Sequence, residues 1–184
     1  MSESDARLVA LARAGDTDAF EALVRRHLRA AYAVALSVLG DVADAEDVCQ
    51  DAFLVALERL EDCRRPERFA AWLLQIVRNR ARNAIRYAGV RQALPLEAIH
   101  GVAGGQSPDR EAIRARVRDR LLDALQELPE IQRQVLMLHD LEGWRHREIA
   151  EALEIPEGTA RAHLSQARRA MRRLLGAELM EEEA

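Results

Sequence analysis

Residues 146–175 read HREIAEALEIPEGTARAHLSQARRAMRRLL and leave the chain few ways to fold. Ile149, Ala150 and Leu153 recur at helical spacing and pack inward, while Pro156–Thr159 turn the chain. A second helix follows, bearing Arg161, His163, Ser165, Gln166, Arg168, Arg169, Arg172 and Arg173. A short amphipathic helix, a tight turn and an arginine-rich second helix make a helix-turn-helix, which lays its second helix in the major groove of DNA. Residues near the start of that helix meet base edges and the later arginines meet phosphates. The competing reading is a solvated arginine face on an ordinary helical hairpin. In this motif the turn position held here by Glu154 is usually glycine, so a left-handed backbone there costs about 1 kcal/mol.

The rest of the chain also reads as helix, because proline and glycine fall at boundaries and no segment alternates with period two. A first helix is expected from Asp5 to Ala14, capped by Ser4 and stopped by Gly15. A second runs from Thr17 to Leu39 and ends at Gly40, with Phe20, Leu23, Val24, Leu28 and Ala31 as its apolar stripe. A third starts near Asp41–Asp44 and reaches about Leu60. A fourth starts near Pro66, a favoured first-turn residue, and reaches about Tyr87. Residues 88–107 hold four glycines and a proline without helical period, and read as a flexible linker. A new helix opens at Ser107-Pro108-Asp109 and continues to about Glu127. The chain restarts at Pro129 and breaks at Gly143 before the helix-turn-helix. The expected fold is all-α, with two small helical domains at residues 1–88 and 108–184 joined by a linker at 89–107.

Charge divides the chain further. The net charge of −4 hides blocks of opposite sign. Residues 41–62 hold eight acids and one arginine, residues 64–92 eight arginines and one glutamate, residues 158–176 five arginines and no acid, and residues 177–184 four glutamates. Segregated blocks suggest two kinds of partner surface. In the third helix, Asp44, Asp47 and Asp51 share a face, with Glu46 and Gln50 close by. Acids at a helix N-terminus are favourable in themselves, but five between 41 and 51 exceed what capping needs. Oxygen-ligand cages for metals need a loop with convergent geometry, so a basic protein partner is the better reading and no metal site is assigned. In the fourth helix, Gln75, Asn79, Arg82 and Arg86 share one face, flanked by Arg78, Arg80 and Asn83. Phe69, Trp72, Leu73, Ile76 and Val77 form the apolar side. Amides beside guanidinium groups suit base edges and phosphates, although a plain solvent face explains the same pattern.

Catalysis finds no support: there is no glycine-rich phosphate loop, no nucleophile elbow and no His-Glu-x-x-His, and the five histidines are scattered. No cofactor is expected. No apolar stretch is long enough to span a bilayer, and the acidic, amphipathic N-terminus is unlike a secretion signal. Cys49 and Cys63 have no metal-ligand spacing and read as ordinary thiols of a reducing cytoplasm, against the alternative of a redox pair.

In combination these segments resemble the bacterial sigma-70 family of RNA polymerase sigma factors, closest to its extracytoplasmic-function type. The segments GDTDAFEALVRRHLRAAYAVALSVL at 15–39 and DVADAEDVCQDAF at 41–53 resemble its region 2. RFAAWLLQIVRNRARNAIR at 68–86 resembles its promoter-reading stretch, and residues 124–174 resemble its region 4. The resemblance implies roles. Asp44, Glu46, Asp47, Gln50 and Asp51 fall where the family docks on the β′ clamp coiled coil of core RNA polymerase. A second contact is implied on the β flap. The loop at about Glu61–Arg68, with Arg64, Arg65 and Arg68, matches the segment that captures a flipped −10 base, and Gln75, Arg78, Asn79, Arg82, Asn83 and Arg86 lie beside the −10 element. Arg147, Thr159, Arg161, His163, Gln166, Arg168, Arg169 and Arg172 match the part that reads the −35 element. The sequence departs from the family pattern at Ala162, His163, Gln166 and Asn83, which bears on −35 and −10 preference. Promoter DNA and an anti-sigma factor are implied partners. Two rivals remain, a stand-alone helix-turn-helix regulator and a sigma mimic that titrates an anti-sigma factor. The intact basic faces in both halves argue against the mimic, and the acidic third helix argues against the regulator.

Overall fold

A computed structural model describes residues 3–91 and 108–182. Eight α-helices follow in order: α1 (Asp5–Arg13), α2 (Thr17–Leu39), α3 (Val42–Glu58), α4 (Phe69–Arg91), α5 (Pro108–Gln126), α6 (Glu130–Leu136), α7 (His146–Leu153) and α8 (Glu157–Glu182). Two 3₁₀ turns, Leu60–Asp62 and Pro66–Arg68, join α3 to α4, and a π-helical turn, Met137–Leu141, extends α6. Among the described residues there is no strand.

The boundaries obey the expected local chemistry. Ser4 Oγ accepts from the Arg7 N–H, Asp16 from the Ala19 N–H and Asp41 from the Asp44 N–H, so three helices begin on side-chain caps. Gly40 ends α2 with φ +74. An added Cβ there would meet the Gln126 amide at 2.6 Å, so this glycine also allows the close approach of α5. Differences from the sequence expectation are local. Helix α4 runs to Arg91 rather than ending at Tyr87, so positions 89–91 of the expected linker are helical; the remainder, 92–107, lies outside the described residues. Leu28, placed in the apolar stripe of α2, is 46% exposed. The π turn carried no recognisable sequence signal.

Helix α2 is the spine, packed by α1, α3 and α4. Leu23, Ala31, Val34 and Ala35 of α2, Ala45 and Ala52 of α3, and Phe69, Leu73, Leu74 and Val77 of α4 are fully buried. Small residues on α2 and α3 let those helix axes approach closely, and the large side chains of α4 fill the space between them. The second half is a bundle in which α6 and α7 both pack on α8, with Ile149, Ala150 and Leu153 buried as expected. The two halves are not isolated. Helix α7 packs on α4, α6 and the π turn pack on α2, and one continuous apolar cluster runs through both.

Candidate functional site

Three surfaces gather the residues singled out by the sequence. The first is the outer face of α3. Asp44, Glu46, Asp47, Gln50 and Asp51 are all exposed. Asp41 is occupied as the helix cap, but none of the other four acids enters an ion pair with a described residue. Leu54, at 60% exposure, and Leu57, at 48%, continue the surface past Asp51. Beside Glu46 and Gln50 lies an open recess of about 510 Å³, walled by Leu28, Tyr32 and Cys49. Charge and apolar area together suit a basic amphipathic partner more than a cation, and no group of metal-ligating side chains occurs among the described residues. Cys49 and Cys63 are buried free thiols. Burial pushes the Cys49 thiol up to about 11, which keeps it protonated and unreactive.

The second surface joins the loop after α3 to the exposed side of α4. The end of α1 fixes the loop, because the Arg13 guanidinium donates to the carbonyls of Leu60 at 2.9 Å and Cys63 at 2.6 Å. That role of Arg13 is invisible in the sequence, since the partners lie about fifty positions away. Arg64, Arg65, Arg68, Trp72 and Gln75 then surround a recess of about 280 Å³. An indole wall with guanidinium and amide groups is what an unstacked base requires. Further along α4, Gln75, Arg78, Asn79 and Arg82 line one cleft of about 500 Å³, as their spacing predicts. Burial and the adjacent Arg82 lower the Arg78 pKa, opposed by Glu154 and Glu130. Asn83 accepts from Arg86 at 2.5 Å on the same helix, so these two sit beside the cleft rather than in it.

Both recesses are shared with the second half of the molecule. Arg82 grips Glu130 of α6 through two hydrogen bonds, at 2.8 and 3.4 Å. The fully buried Gln134 amide holds that carboxylate from behind at 2.8 Å. Arg68 meets Glu151 of α7 at 2.9 Å, and Glu154 forms part of the wall around Arg64 and Trp72.

The third surface is the exposed side of α7 and α8. Glu154 caps α7 with φ +56, the one non-glycine with positive φ among the described residues, as expected for that turn. Arg147, Arg161, Gln166, Arg168, Arg169 and Arg172 are exposed. Thr159 is half-buried at the start of α8. His163 is half-buried too, with Nδ1 turned into the protein. Arg161 pairs with Glu157 one turn earlier. The π turn places Asp140 against Arg168, which donates from Nε at 3.1 Å and from a terminal nitrogen at 2.5 Å. The hydrogen bond from Arg168 holds the Asp140 carboxyl below the usual carboxylate range, against partial burial. The Gln132 amide donates to Gln166 at 3.1 Å, so two exposed side chains of α8 are held in place by α6 and its π extension.

The described residues thus present one acidic face and two basic faces. Comparison with known proteins agrees. The model for sigma-70 region 2 matches residues 23–90, and that for sigma-70 region 4 matches residues 118–171. The chain is 30% identical over 182 residues to the RNA polymerase sigma-H factor of Pseudomonas aeruginosa, covering 94% of each. It is 34% identical to the ECF RNA polymerase sigma factor SigM of Mycobacterium tuberculosis, covering 94% of this chain and 85% of that one. It is 31% identical to the ECF RNA polymerase sigma-E factor of Escherichia coli K12, covering 93% and 95%. The solved structure of CnrH in complex with the cytosolic domain of CnrY superposes with a TM-score of 0.67 at 29% identity, over 95% of this chain and 99% of CnrH. The chain therefore belongs to the sigma-70 family of RNA polymerase sigma factors, in its extracytoplasmic-function group, and it directs RNA polymerase to promoters. Family members are transcription initiation factors, and among the described residues no helix is long and apolar enough to cross a membrane.

Proposed function

We propose a division of labour for this sigma factor. The acidic-apolar face of α3 docks on the β′ clamp coiled coil of core polymerase. The loop recess and the α4 cleft take the single-stranded −10 element, and the exposed side of α8 reads the −35 duplex. A β-flap contact with the second half completes the assembly, which works in the cytoplasm where the polymerase is. The observation that carries the reading is the exposed row Asp44, Asp47 and Asp51, which the rest of the described chain leaves without ion pairs and continues into exposed leucines. A stand-alone DNA-binding regulator has no use for such a face. The protein moves no bonds: it positions polymerase by phosphate and base contacts and stabilises the opened strand by stacking.

Region 4 carries the finer specificity. Gln166 and Arg168 reach the groove already oriented by Gln132 and Asp140, whereas His163 is partly withdrawn. Base preference at −35 then rests on Arg161, Gln166 and Arg168.

Run-off transcription with purified core polymerase on fragmented genomic DNA tests the reading. Discrete transcripts that need the protein are expected. Core binding without transcripts would make it a mimic, and neither binding nor transcripts would leave a stand-alone regulator.

A further inference from the structure

Among the described residues, the ion pairs between the two halves share one polarity. Region 2 supplies the arginine each time and region 4 the glutamate: Arg29 with Glu142 at 3.2 Å, Arg68 with Glu151 at 2.9 Å, and Arg82 with Glu130 at 2.8 Å. Two of these arginines, 68 and 82, lie in the recesses proposed for the −10 strand, and Glu154 stands in the wall of one of them. Glu154 holds its place in a left-handed backbone that glycine would adopt at lower cost. Glu130 is aimed by Gln134, a buried amide with no other described hydrogen bond. Carboxylates fixed opposite guanidinium groups satisfy the same donors that a phosphate backbone would.

We infer that the edge of region 4 formed by Glu130, Glu151 and Glu154 is an internal substitute for nucleic-acid phosphate, occupying the α4 face in the free protein. This inference rests on the assignment of α4 to the −10 strand. Single-stranded DNA and the acidic edge compete for the same arginines, so the free protein binds the strand with an affinity reduced by the small fraction of open molecules. Docking on polymerase, which separates promoter-reading surfaces by the distance between two DNA elements, uncovers the face. The ion pairs are half-exposed and individually weak. The apolar contact of α7 on α4 sets the closed geometry, and the glutamates acting together supply the part of the closure that competes with DNA.

The test uses the full chain with Glu130, Glu151 and Glu154 all changed to Gln. A second triple variant, Asp119→Asn, Asp123→Asn and Glu127→Gln, makes the same change of net charge at exposed carboxylates on α5 and directly after it that pair with no described region 2 side chain. Binding of a fluorescent single-stranded −10-type oligonucleotide and the solution radius of gyration are measured for each. The unaltered protein should be near the compact value of about 16 Å. The cleft variant should expand and bind the strand about three- to tenfold more tightly, and the α5 variant should do neither. Equal tightening in both variants would reduce the effect to general electrostatics and overturn the inference, as would an unaltered protein that is already extended. Expansion of the cleft variant with no tightening would show that closure is real but that the strand binds elsewhere, which removes the α4 assignment as well.

Discussion

At the residue scale, strain and pairing mark the parts that matter. Glu154 adopts φ +56 where a side chain costs about 1 kcal/mol. Replacing it with glycine relieves that strain, partly offset by the greater freedom of glycine in the unfolded chain. Glu154→Gly should therefore raise the melting temperature by about 1–3 °C, read by thermal circular dichroism. A decrease would mean that the carboxylate contributes more in the folded state than the backbone loses. On α8, Arg168 is held bidentate by Asp140, so its guanidinium is already ordered in the free protein. Arg161→Ala with Arg168→Ala should cut initiation at −35-dependent promoters by about tenfold or more and spare promoters that rely on the −10 element. A uniform loss across promoters, with a shallower salt dependence, would make both residues phosphate contacts only.

At the scale of the element, each face is defined by what the helix already uses. In α3, Asp41 is consumed as a cap, while Asp44, Glu46, Asp47 and Asp51 enter no ion pair with a described residue. Asp44→Arg with Asp47→Arg should weaken binding to core polymerase by about tenfold or more while lowering the melting temperature by only about 1–4 °C, because both side chains are exposed and unpaired among the described residues and the stability lost is that of the Asp44 carboxylate in the first turn of α3. Unaltered affinity in a competition titration would move the docking surface elsewhere. In α4, the helical period placed Gln75, Asn79 and Arg82 on one cleft as the sequence indicated. Arg86 lies past its end, because Asn83 takes it up locally. The π turn is an element that periodicity could not supply. One extra residue per turn leaves the apolar pattern of 130–141 almost unchanged, yet it decides where Asp140 points.

At the scale of the molecule, the two halves read from the sequence as helical domains joined by a flexible linker share a core. Leu23, Val34, Phe69, Val135, Leu138 and Ile149 belong to one apolar cluster. Unfolding should accordingly follow one cooperative transition, with calorimetric and van't Hoff enthalpies in agreement. Two resolved transitions would mean that region 4 leaves region 2 before either unfolds. If α4 takes the −10 strand as proposed, the same packing predicts that promoter DNA binds poorly to the protein alone, because α7 covers part of the α4 face.

The sequence by itself determined the helices, their caps and the chemistry of each face. These depend on interactions within a few residues, as at Ser4, Asp16, Asp41 and Gly40, or on periodicity along one helix, as at Asp44–Asp51 and Gln75–Arg82. The tertiary structure alone decided which face meets which. Arg13 on the carbonyls of Leu60 and Cys63, Gly40 beneath Gln126, and Glu130 on Arg82 each join positions about fifty or more apart. Such pairs follow from how apolar stripes stack, and a stripe records that it must be covered without recording by what.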